Sequence, residues 1–194
     1  MELDFIKYCD TDAHRSFAGI YNAVLKNPDD CPLKFITANE SGKPLFDILL
    51  VREMTGGLYH GERGRLDAPC TDCKGRGCQE AYDTEKYSWK QIERALRIGY
   101  DYASSRQKKM CIVDKADLLE SSQLWREVTE EVSKDFPLVK IDYLYINDAI
   151  KQLILTPWEF DVIVTSNMFG DILAGGLSAL TGSQCLPSYI GVKL

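Results

Sequence analysis

Histidine is almost missing from this 194-residue chain, which has only His14 and His60. A catalytic triad or metal centre that needs several imidazoles is therefore poorly supplied. Positive charge is short as well. Lysine and arginine total 23 against 29 acids, a net charge of −6, which argues against a general binder of nucleic acid or anionic membrane. No apolar run approaches the roughly 18 residues of a membrane-spanning helix. The opening MELDFIKYCD is too acidic for a signal peptide. Two phosphate-binding signatures are absent too: no G-x-G-x-x-G leads into a helix, and no Gly-Lys-Ser/Thr occurs. The seven cysteines are odd in number and irregularly spaced, which fits reduced thiols better than a disulfide scaffold. A soluble, cytoplasmic chain is the expectation.

With 45% apolar and 27% charged residues, the composition is that of a folded domain. The first 47 residues read differently from the rest. Phe17, Ile20, Tyr21, Val24 and Leu25 recur at helical spacing and predict a helix over 12–26, a turn over 29–32 and a short strand over 34–38. From residue 48 onward, buried strands alternate with helices. Strands are expected at 48–51, 110–113, 141–146 and 161–165, and helices at 118–136, 148–155 and 169–180. Ser88 with Gln91 three residues on forms a capping box for a further helix, with Tyr87 and Ile92 as its staple. Such alternation calls for an α/β fold with a mostly parallel sheet covered by helices on both faces. A divergent segment, 1–47, thus precedes an α/β domain, 48–194, whose Gly-rich, charged stretch at about 55–83 interrupts the pattern.

Four motifs carry chemistry. Arg52 ends a strand in VREMTGGLYHGERG, where its guanidinium can grip a carboxylate or close an ion pair within the chain. Lys115 follows a strand in VDKAD, as a general base at the sheet edge or as an ordinary surface lysine. Asp171 lies in the first turn of a helix in SNMFGDIL, where a carboxylate either ligates magnesium or answers the positive helix end. Cys70, Cys73 and Cys78 form C-x2-C-x4-C, a spacing that holds zinc only with a fourth ligand and otherwise belongs to a loop of free thiols.

Together, VREMTGGLYHGERG, YDTEKYS, VDKADLLESSQLWREV, FDVIVTSNMFGDIL and LTGSQCLPS resemble, in order, the blocks of the decarboxylating β-hydroxyacid dehydrogenases. The step Thr55-Gly56-Gly57 is similar to the isopropylmalate branch rather than the isocitrate one. The resemblance covers about residues 48–190. It implies NAD-dependent, magnesium- (or manganese-) assisted oxidation and decarboxylation of a 2-hydroxy acid, in a homodimer whose subunits interlock through an arm at 55–83. It makes Arg52 the holder of the substrate carboxylate. Lys115, reaching over from the dimer partner, assists hydroxyl deprotonation, and Tyr59 protonates the enolate. Asp117 and Asn167 fall on cofactor-side positions, and Asp171 and Asn147 on metal positions.

The same resemblance exposes departures. Asn147 stands where the family has a metal-binding aspartate, Gly175 where it has another, and Asp117 where it has an asparagine near the nicotinamide. Only one of three metal carboxylates is kept, and the matched blocks correspond to the dimerising second domain rather than the nucleotide domain. The expectation is a shortened, divergent member that grips the acid but is impaired in turnover. The alternative is a non-catalytic dimerisation module or partner of a full-length relative.

Overall fold

The computed structural model describes residues 5–7, 18–23, 30–38, 44–68 and 78–180, with side chains over 46–66 and 79–180. The strands are β1 (Phe5–Lys7), β2 (Ala18–Ala23), β3 (Asp30–Ala38), β4 (Pro44–Glu53), β5 (Arg63–Ala68), β6 (Cys78–Asp83), β7 (Lys109–Asp114), β8 (Lys140–Tyr145) and β9 (Val162–Thr165). The helices are α1 (Trp89–Ser105), α2 (Glu120–Ser133), α3 (Ile146–Leu155) and α4 (Asn167–Leu180), with a 3₁₀ turn at Pro157–Glu159. Strands run β1-β2-β3-β4-β9-β7-β8 in one sheet, and β5 and β6 pair separately.

The half of the sheet built from β4, β9, β7 and β8 is parallel. Its strands are short apolar runs whose side chains alternate between two cores, as a sheet buried on both faces requires. Ile48, Leu50, Cys111, Val113 and Ile163 point to the side covered by Ala149 and Leu153 of α3 and Phe169, Leu173 and Leu177 of α4. Leu49, Val51, Met110, Ile112, Val162 and Val164 point to the other, against Ile92, Leu96 and Tyr100 of α1 and Trp125, Val128 and Val132 of α2. Gly99 lets α1 lie close to the sheet, because a Cβ there would sit 2.3 Å from Val164 Cγ2.

The expected capping box starts α1: Ser88 accepts from Gln91 N–H, and the Gln91 side chain accepts from Ser88 N–H. Other elements differ from expectation at their ends. The helix expected at 118–136 is confined to Glu120–Ser133, with Pro137 closing off any continuation.

The expected helix over 12–26 is not formed. Ala18–Ala23 is a strand, paired antiparallel with β3. Gly19 weakens a helix, while Ile20 and Tyr21 suit a strand, and the open edge of β3 supplies the backbone partners. The turn expected at 29–32 is likewise the start of β3, which runs antiparallel to β4 over Asp30–Ala38. β4 itself continues through residue 47, so the antiparallel strands and the parallel core share one sheet.

The two-stranded arm is in register from Arg63↔Asp83 to Ala68↔Cys78. Its described side chains are largely exposed, Leu66 and Tyr82 among them. Cys70 and Cys73 lie outside the described residues, as does the Cys78 side chain, and with them the thiol site for zinc.

Candidate functional site

Parallel strands bring their carboxyl ends to one edge, where open α/β sheets bind ligands. Arg52 is level with Thr165 on β9, and Thr165 with Val113 on β7. The predicted site residues gather just beyond this row, in two groups.

The first group surrounds Arg52, which is only 4% exposed. Its Nε donates to Asn167 Oδ1 at 2.9 Å, and its Nη1 donates to Asp171 Oδ1 at 2.6 Å. Tyr59 OH donates to the other carboxylate oxygen of Asp171 at 3.1 Å, and the Arg52 guanidinium lies 5.8 Å from the Tyr59 ring centre. Asn167 is buried at the start of α4, and its Nδ2 donates to the carbonyls of Met54 and Gly56 at 3.2 and 3.0 Å. That fixes which face of the amide Arg52 sees. Gly170 makes room for the arginine stem, since a Cβ there would be 2.6 Å from Arg52 Cγ.

Residues that sequence reasoning missed hold the Thr55-Gly56-Gly57 turn. Glu53 is fully buried. It accepts from Thr55 N–H and Oγ1, from Gly56 N–H, and from Arg94 Nη2 at 2.8 Å. Gly57 adopts φ +78° directly under Tyr87, whose hydroxyl would be 2.0 Å from a Cβ at this position. The same hydroxyl accepts the Asn167 N–H at 2.8 Å. Burial raises the Tyr87 pKa well above the ordinary phenol range, a shift that the Asn167 N–H opposes. The available signal was an acid ending an apolar strand next to an arginine, with a Gly-Gly step three residues on.

The second group lies at the ends of β7 and β8. Lys115 Nζ donates to Asp117 Oδ2 at 2.9 Å and lies 5.1 Å from the Tyr145 ring centre. Arg126 binds both oxygens of the buried Asp114, at 2.7 and 3.0 Å, and covers Tyr143 and Tyr145. Lys115 and Asp117 are thus brought to each other. Asn147 stands exposed in the first turn of α3, at the end of β8, and β7 lies between that strand and β9. Its neighbour Asp148 is paired with Lys151.

Among the described residues the donor set does not fit a resident divalent cation. Both oxygens of Asp171 are engaged by Arg52 and Tyr59. Among the described residues no three His, Cys, Asp or Glu side chains converge. A Cβ at Gly175 or Gly176 would meet nothing within 4 Å, so the position one turn beyond Asp171 carries space and no oxygen. The helix that follows β9 opens on Asn167, whose N–H is spent on Tyr87. No described helix is long and apolar enough to cross a membrane.

A mostly parallel α/β sheet with a guanidinium fixed at its carboxyl edge, plus a two-stranded β-arm, defines the class of domain. The particular family follows from comparison. The pattern described as isocitrate/isopropylmalate dehydrogenase matches residues 18–189, and the chain belongs to that family. It is 51% identical over 144 residues to a 3-isopropylmalate dehydrogenase of Pseudomonas fluorescens, covering 73% of this chain and 38% of that protein. It is 46% identical over 167 residues to the 3-isopropylmalate dehydrogenase of Pseudoalteromonas translucida, covering 81% and 44%. The crystal structure of isocitrate dehydrogenase from Methylococcus capsulatus superimposes with a TM-score of 0.62 at 32% identity, over 71% of this chain and 40% of that one. The TT0538 protein from Thermus thermophilus shares the fold, with a TM-score of 0.65 at 24% identity over 86% of this chain and 30% of that one. The chain therefore spans well under half the length of these relatives.

Proposed function

We propose that this chain is the acid-gripping, dimer-forming portion of a protein similar to 3-isopropylmalate dehydrogenase, and that alone it holds a 2-hydroxy acid without turning it over. The observation that carries this reading is the Arg52–Asn167 pair. A guanidinium fixed by its Nε aims its Nη1 at a carboxylate, here that of Asp171, and such charge-assisted hydrogen bonds are stronger than neutral ones. Tyr59, half-exposed above the same carboxylate position, is placed to give a proton to an enolate. Lys115 is the proposed amine that assists hydroxyl deprotonation, across a dimer interface.

In the family the nicotinamide takes the hydride and the divalent ion polarises the hydroxyl oxygen. The residues described here do not supply those two seats, so no step is assigned to them. Uniform binding of the acid lowers its dissociation constant without lowering a barrier, and that is what this chain retains. The dimer reading draws on Ile154 and Leu155 of α3 and Ile172 of α4, all exposed at 48% or more. Exposed apolar side chains on neighbouring helices suit a second copy.

The test measures 3-isopropylmalate binding by calorimetry alongside NADH formation with magnesium and NAD, at high chain concentration. Measurable binding that disappears in Arg52→Ala, with no NADH formed, supports the reading. Steady turnover by the 194-residue chain alone would overturn it. Sedimentation tests the dimer separately, and a strictly monomeric chain at 100-fold dilution and above removes that part.

A further inference from the structure

We infer that the cavity at the amino edge of the parallel sheet, between β7, β8 and the end of α3, binds a free α-amino acid with an apolar side chain. It lies at the opposite edge of the sheet from Arg52 and does not depend on the grip assigned to that residue.

The cavity measures about 470 Å³, within the roughly 300–1,000 Å³ of small-molecule sites. Its inner wall is apolar. Cys111 of β7, Leu144 of β8 and Phe160 before β9 form it, Cys111 and Phe160 buried in the core beneath α3 and α4 and Leu144 packed against that core. Burial pushes the Cys111 thiol up to about 12, so this wall carries no charge at neutral pH. Asp161 also borders the cavity, but its carboxylate is committed: it accepts from Arg106 Nε at 2.6 Å and from Gln107 N–H at 3.0 Å.

The mouth carries both signs of charge. Lys109 Nζ donates to the Glu159 carbonyl at 2.6 Å. It lies 3.9 Å from Asp142 Oδ2 and 3.8 Å from Glu159 Oε2, beyond hydrogen-bond reach of either carboxylate. The other Asp142 oxygen is 3.3 Å from Nζ of the exposed Lys140. Gln152 and Thr156 bring in the carboxyl end of α3, whose last turn holds no basic residue and which favours positive charge. A simple anion entering here meets two carboxylates and the negative end of a helix, and a simple cation meets the Lys109 ammonium. A molecule with both charges on one carbon avoids both conflicts. Its carboxylate faces Lys109, its ammonium faces Asp142 and Glu159, and its side chain covers the apolar wall, so that charge-assisted hydrogen bonds and apolar burial act together.

The experiment follows the backbone amides of the whole chain by proton–nitrogen correlation spectra during titration with four probes. They are L-norvaline, n-butylamine (norvaline without its carboxylate), pentanoate (norvaline without its ammonium) and free glycine (no side chain). Norvaline is expected to shift the amides of Cys111, Asp142 and Thr156 with a dissociation constant of about 1 mM. Each of the other probes should bind there about tenfold more weakly, the scale of one charge-assisted hydrogen bond or a small apolar side chain. Lys109→Gln, at the mouth and outside the core, should weaken norvaline about tenfold and butylamine not at all; its spectrum reports its fold directly. Butylamine or pentanoate binding as tightly as norvaline overturns the inference, because one charge would then suffice. Norvaline binding unchanged in Lys109→Gln, shifts confined to the surroundings of Arg52, or no shift up to about 10 mM each overturn it as well.

Discussion

At the ends of β4 and β9, Arg52 is buried and its Nε hydrogen bond runs inward, through Asn167 to the Met54 and Gly56 carbonyls and so to the turn held by Glu53. At the end of β7, about 5 Å further along the sheet for each strand, Lys115 is half-buried and its ammonium is met, among the described residues, by Asp117 and the Tyr145 ring. Both cations occupy the same edge of the same sheet, but they are built for different work. A guanidinium locked by a chain of fixed acceptors gives geometry, the property a binding grip needs. A flexible ammonium on a surface ion pair gives reach, and the pair itself contributes little stability.

Removing the hub of the first group should produce the largest effect. Glu53→Ala takes their carboxylate acceptor from the Thr55 and Gly56 N–H groups and from Arg94, which keeps its bond to Thr55 Oγ1. Because Glu53 is fully buried and Arg94 is partly exposed, the cost expected is about 3 kcal/mol, near the lower end for breaking a buried pair. Thermal and urea melts measure it. A loss below about 1 kcal/mol would mean that water replaces Glu53, and the rigid half of the comparison would be wrong.

The contrast sharpens with a matched pair of substitutions. Asn167→Ala removes one acceptor from Arg52 and leaves the Met54 and Gly56 carbonyls short of a donor. About 2 kcal/mol of stability should go, at the usual scale for buried unsatisfied groups, and acid binding should go with it. Lys115→Ala should move the melting curve by no more than about 0.5 kcal/mol, as expected of a surface pair. Equal losses in the two variants would erase the distinction between the groups.

Gly175→Ala tests the empty turn in the opposite direction. A Cβ there meets nothing and α4 runs through this position, so the change should stabilise by about 0.7 kcal/mol through helix propensity alone. The same melts check it. Destabilisation would mean that the open space beside α4 is filled in solution, as by a second copy of the chain, and that the glycine is there for contact.

Much of the sheet was legible because its signals are local. Four short apolar runs bounded by turns can hardly be anything but buried strands, and the capping box at Ser88 fixes a helix start to the residue. The segment around Ile20 was misread because its five apolar residues fall at helical spacing although Ala18–Ala23 is a strand. The choice is made by β3, which no local window contains. The site was legible as identities and less so as connections. Arg52, Tyr59, Asn167 and Asp171 were all singled out, yet the first two lie more than a hundred residues from the last two in sequence. Spacing alone could not show that Asp171 faces Arg52. Glu53 passed unnoticed because its partners are mostly backbone N–H groups, which every residue carries.

The smallest effect belongs to the strand end that joins the arm to α1, where Glu85 is half-buried and its pKa is raised, mainly by desolvation and against a hydrogen bond from Ser121. An acid whose folded pKa lies above its unfolded value holds more protons when folded. Its contribution is therefore fully present below the unfolded pKa and is lost as pH rises through the folded one. At neutral pH the charged form of Glu85 opposes the fold. Glu85→Gln should then raise stability at pH 7 by less than about 0.5 kcal/mol and make no difference at pH 4, where the wild-type carboxyl is already protonated in the folded chain. Melting curves for both proteins at the two pH values measure it. A gain at pH 4 as large as that at pH 7 would mean that shape rather than charge sets the energy of this joint. A loss at pH 7 would mean that the Ser121 bond outweighs burial, bringing the base of the arm closer to the tightly bonded character of the Arg52 group.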